Sequence, residues 1–83
     1  MIKKISQALK NVIISPMEDK DIAEALENDD TNLIDMFGLD SLLRVQFIIE
    51  IEEVFDIDID IEKLDVLVFE NCGNFKKMIL NYL

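Results

Sequence analysis

Only one stretch of the 83-residue chain alternates with the period of a β-strand. It reads Asp56-Ile57-Asp58-Ile59-Asp60-Ile61. A single strand has no neighbour to take up its backbone donors and acceptors, so no sheet can grow from it. The stretch is therefore read as an extended loop. Elsewhere the apolar residues recur at helical spacing, which restricts the chain to an all-α fold. Ile2, Ile5, Leu9, Val12 and Ile13 predict a helix over 2–14, ended by Ser15 and Pro16. A short helix over 19–27 is centred on Ile22, Ala23 and Leu26. The turn formers Asn28, Asp29, Asp30, Thr31 and Asn32 follow. Leu33, Ile34, Met36 and Phe37 are expected to pin this long loop to the core, and Gly38 supplies a position that accepts positive φ.

The strongest helix spans 41–55, with Ser41 expected as its N-cap. Nine of its fifteen residues are apolar, more than one core-facing stripe requires. Phe47, Ile51 and Phe55 form one stripe, and Leu42, Val45 and Ile49 lie on another. A domain this small buries one stripe, so the second is expected to be partly exposed, as a pocket wall or a partner-facing patch. A helical turn is expected within 64–69. A last helix over 72–82 is capped by Asn71 and carries Phe75, Met78, Ile79 and Tyr82 on one face. The expected architecture is a single domain over 1–83. It has three longer helices and one short one, with a long loop between the first two.

Several absences remove whole chemistries. The chain has no histidine, so no Ser–His or Cys–His nucleophile pair and no histidine-ligated metal. Its one cysteine, Cys72, forms no intramolecular disulfide and is expected to be a buried structural residue. Two glycines, Gly38 and Gly73, do not make a phosphate-cradling loop. Asp56, Asp58 and Asp60 begin like a calcium loop, but Ile61 stands where glycine is needed and Leu67 where a bidentate glutamate is needed. No metal site is expected. The chain reads as a reduced, cytoplasmic, non-catalytic domain with no apolar run of membrane-spanning length.

Charge narrows the partners. The net charge is -10. Residues 1–17 hold three lysines and no acid, a net +3, and residues 71–83 hold two lysines, a net +2. All 18 acids lie in residues 18–70 against Lys20, Arg44 and Lys63, a net -15. Such a surface repels nucleic acid and anionic lipid and favours partners with basic docking patches.

Gly38-Leu39-Asp40-Ser41-Leu42 is by itself a turn glycine before a helix cap. It sits mid-chain, after a long loop, and opens the central helix of an acidic chain without catalytic groups. Here the sequence resembles the acyl carrier protein superfamily, which includes peptidyl carrier proteins. Glu52-Glu53-Val54-Phe55 resembles the family's ending of that helix. Ile57 and Ile59 fall in its extended loop, and Asn71-Cys72-Gly73-Asn74-Phe75 resembles the start of its final helix.

The resemblance implies a small acyl-carrier-type four-helix bundle. It implies that Ser41 bears 4′-phosphopantetheine, donated from coenzyme A by a phosphopantetheinyl transferase. Asp40 would support recognition by the transferase. Leu42, Val45, Ile49, Glu52 and Glu53 would form the partner face. An adenylating or acyl-loading enzyme and downstream acyl-processing enzymes are the implied partners of a monomeric carrier. The start at Met1 and the end after the last helix suggest a free-standing protein.

Fatty-acid carriers place acids in the first turns of this helix, whereas here the residues are Leu42, Leu43, Arg44, Val45 and Gln46. That departure favours an aminoacyl or peptidyl carrier in nonribosomal peptide or related biosynthesis. D-alanyl and fatty-acyl or polyketide carriers remain alternatives. The competing class is an acidic helical interaction module without a prosthetic group.

Overall fold

The computed structural model describes residues 1–14 and 16–83. Ser15, expected to help end the first helix, lies outside the described residues. Among those residues there is no β-strand. The helices are α1 (Ile2–Lys10), α2 (Asp19–Glu27), α3 (Leu33–Phe37), α4 (Ser41–Phe55), α5 (Leu67–Glu70) and α6 (Cys72–Tyr82). A 3-10 turn covers Ile61–Lys63. The all-α expectation holds, with more short helices than expected.

Helix α1 stops at Lys10, short of the expected residue 14. Asn11 is a weak helix former, and Val12, Ile13 and Ile14 are β-branched and restricted at χ1. The end tightens as the N–H groups of Asn11 and Val12 donate to Ala8 and Leu9 carbonyls at 3.3 and 3.0 Å. The apolar spacing still serves the core. Ile5, Leu9 and Val12 are buried, and Ile2 and Ile13 pack against them.

Helix α2 has the expected limits and buries Ile22 and Leu26. Asp19 and Asp21 in its first turn suit the positive end of the macrodipole. Residues 33–37, expected as loop, close into α3 because the Asn32 side chain accepts from the Ile34 and Asp35 N–H groups at 2.9 and 3.1 Å. Leu33 and Phe37 are buried as expected, whereas Met36 faces outward.

Helix α1 packs against α4 and α2, while α5 packs against α6 and α3. The Lys4 ammonium lies 5.4 Å from the Phe55 ring centroid. At the other end, Asn11 and Val12 share a groove with Gln46 and Ile49, so α1 runs antiparallel to α4. Phe47 of α4 and Phe75 of α6 stack at 5.0 Å with their planes 9° apart. Phe69 tilts onto Phe75 at 5.7 Å. Burying these rings supplies much of the cohesion of a core this small.

Helix α6 docks through its first turn. Asn71 caps it, accepting from Asn74 N–H at 2.9 Å. The N–H groups of Cys72 and Gly73 donate to the Thr31 and Asp29 carbonyls at 2.8 and 2.9 Å. Lys76 reaches back to the Asp29 carboxylate at 2.7 Å and the Leu26 carbonyl at 2.9 Å. Cys72 is buried, with its thiol pushed up by that burial and donating weakly to the Leu26 carbonyl at 3.4 Å. The short segment between α2 and α3 is therefore fastened to the far end of the chain.

Candidate functional site

The site is built by the turn between α3 and α4. Gly38 ends α3 in the left-handed region at φ 65°, a conformation that strains residues carrying a Cβ. Leu39 is fully buried and fixes the turn to the core. The extended residue Asp40 is the N-cap of α4, its carboxylate accepting from Leu43 N–H at 2.9 Å. This corrects the expectation that Ser41 is the cap. Aspartate caps as well as serine does, and its charge also faces the positive end of the helix. Ser41 is consequently the first helical residue, exposed to solvent.

The two stripes of α4 separate as expected. Phe47 and Ile51 are fully buried, and Phe55 packs against the core. Leu43 and Ile48, which the stripe did not include, are buried too. Leu42, Val45 and Ile49 are 67%, 41% and 47% exposed. They continue away from Ser41 along one side of the helix. Glu53 is exposed. Glu52 folds back instead, and its carboxylate accepts from Ile59 N–H at 2.8 Å. Asp56 turns the chain in the left-handed region at φ 54°, and Ile59 is buried beneath the Glu52 contact. The period-two segment is thus the expected extended loop, pinned by Ile59.

Beside Ser41 lies a cleft of about 200 Å³. One wall is α4, through Arg44, Val45 and Ile48, and the other is Ile61, Leu64, Val66 and Phe69. Arg44 is half-buried, and its Nε donates to the Leu39 carbonyl at 2.9 Å. In the sequence, Arg44 stands out only as a departure from fatty-acid carriers. Its reach back to Leu39 has no periodic signature, and neither does the placing of Ile61 and Val66 opposite Ser41. Asp40, Ser41, Val45 and Arg44 are gathered at one end of the molecule, whereas Glu52 and Glu53 lie toward the other end of α4.

The family described as the phosphopantetheine attachment site matches residues 18–79, from the start of α2 almost to the end of α6. A non-reducing polyketide synthase AC of Didymella fabae is 42% identical over 57 residues, which are 68% of this chain but 2% of that protein. An acyl carrier protein of Desulforapulum autotrophicum is 31% identical over 67 residues, covering 81% of this chain and 84% of that one. No solved structure matches the chain significantly. Among the described residues, no helix is long and apolar enough to cross a membrane. The family match spans α3, the turn at Asp40–Ser41 and all of α4, and the chain belongs to the acyl carrier protein superfamily, whose members bear 4′-phosphopantetheine.

Proposed function

We propose that this chain carries an acyl group as a thioester on 4′-phosphopantetheine attached through Ser41. The observation that carries the reading is the exposed Ser41 hydroxyl at the first residue of α4, with the cap supplied by Asp40. Capping by serine would commit the hydroxyl to a backbone N–H. With Asp40 in that role, Ser41 keeps its oxygen available for a phosphodiester. The residues fit such an arm: a free hydroxyl, the positive end of a fifteen-residue helix and an open cleft with an apolar lining beside it. When bound, the group supplies a thiol that holds the cargo. The chain supplies the attachment oxygen, the fixed turn and the surface around them.

Serine without a neighbouring base does not activate itself, so the transfer from coenzyme A falls to a separate transferase. Carrier domains of this family are not catalytic and work with modifying and synthase enzymes. The exposed Leu42, Val45 and Ile49, with Glu53, are proposed as the face those enzymes meet. Glu52 contributes by holding the 56–60 loop. The names of the two relatives, a polyketide synthase and an acyl carrier protein, favour an acyl or polyketide cargo. The aminoacyl or peptidyl cargo rests on the non-acidic first turns of α4 and is the second reading.

Incubation with coenzyme A, magnesium and a broad-specificity transferase is expected to add the mass of one phosphopantetheine. Ser41→Ala is expected to abolish the addition. Mass gain that persists in the alanine variant overturns the assignment. Intact mass of the chain from its native cell would weigh the cargo and separate the two readings.

A further inference from the structure

Arg44 is the chain's one arginine, in a protein with 18 acids. The ion pairs among the described residues are Lys10–Asp19, Lys63–Asp60 and Lys76–Asp29, and none includes it. It follows Ser41 by three residues, so the two side chains are neighbours on one face of α4. Both line the same cleft, whose remaining walls are largely apolar. The Nε–H is occupied by the Leu39 carbonyl, which anchors the guanidinium at its base. The terminal nitrogens carry four further donors in a planar fork. A fixed fork of this kind matches two oxygens of a phosphate better than a flexible lysine does.

We propose that Arg44 is a positioning residue that clamps the phosphodiester of a phosphopantetheine on Ser41. The inference rests on the Ser41 reading. The cation then neutralises the one negative charge the arm adds close to the backbone. Holding the phosphate on the Arg44 side directs the arm toward the cleft between Val45 and Val66. Without that contact the phosphate would be held by the helix terminus alone, and the arm would swing freely. The hook to Leu39 makes the clamp ready before the arm is attached.

The test compares the full-length protein before and after loading, in wild-type, Arg44→Gln and Arg44→Lys forms, each checked by intact mass. Taking the difference between loaded and unloaded protein removes any cost the substitution has for the fold. In the wild type, the Arg44 Nε–H resonance is expected to move on loading, and the melting temperature to rise. The ³¹P line of the loaded glutamine variant is expected to shift and sharpen as the arm loosens, and its gain in melting temperature to vanish. The lysine variant should keep part of both effects, since it retains charge but not the fork. Coincident ³¹P lines and equal melting gains in loaded wild type and glutamine variant overturn the clamp alone. A wild-type chain that gains no mass overturns the Ser41 reading, and the clamp with it.

Discussion

At the scale of single residues, Asp40 and Ser41 occupy adjacent positions with separate duties. The carboxylate of Asp40 takes the Leu43 N–H, and Ser41 is left with an exposed hydroxyl. A capping role and a role in transferase recognition make different demands on residue 40. Asp40→Ala removes the acceptor and is expected to cost ~1 kcal/mol of stability in urea unfolding. Asp40→Asn retains an acceptor and removes the charge, so its stability should stay within about 0.5 kcal/mol of wild type. A loading rate that falls in both variants assigns recognition to the charge. A rate that falls only in the alanine variant assigns it to the cap geometry. The motif made this pair visible in the sequence, but not which of the two would cap. Aspartate and serine are equivalent N-caps by type, and the choice depends on where the buried Leu39 sets the turn.

At the scale of elements, the longer helices were legible because each carries an apolar stripe at period 3.6. α2 and α6 end where the spacing ends. The spacing over α1 runs past its end because Val12 and Ile13 keep the apolar pattern after the helix has become a turn. The five residues of α3 are too few to show a period, so they pass for loop in the sequence, although Asn32 and Gly38 bracket them with a cap at each end. The cleft was not legible at all, since its far wall is made by short segments whose placement depends on packing. The fastening of α6 to residues 29–31 also joins positions remote in sequence, and it has a pH signature. The Lys76 ammonium, by hydrogen bond and by charge, holds the Asp29 carboxyl below its ordinary 3.8. A carboxyl lowered by folding stabilises the folded state above its unfolded pKa, and the contribution is lost as pH falls through the lower folded value. Stability should therefore decline with acidification below about 4, more steeply in wild type than in Lys76→Met. Because Asp29 is solvent-exposed, the difference should be modest and should shrink in salt. Urea midpoints measured across that acid range check it, with equal slopes for the two proteins as the contrary result.

At the scale of the whole molecule, charge and compactness oppose each other. A net -15 from residues 18–70 is held in a body 29 by 23 by 22 Å. Many of these charges lie within a Debye length of one another at low ionic strength. The three ion pairs among the described residues relieve little of this, because their acids are largely exposed. Raising salt toward 1 M, where the screening length is about 3 Å, should raise the melting temperature. The same salt should slow association with a transferase that presents a basic surface. Thermal melts and stopped-flow mixing measure the two responses on one protein. An association rate that ignores salt would place docking on Leu42, Val45 and Ile49. The chain's lack of tryptophan bears on such measurements. Its only tyrosine, Tyr82, closes α6 against the extended loop, its phenol oxygen accepting from Asp60 N–H at 3.4 Å. The near-ultraviolet emission of the protein thus comes mainly from one ring, seated where the last helix meets the segment leading into the cleft wall. Nature has placed an optical gauge at that seam, and displacement of the segment can be followed by fluorescence without attaching a dye.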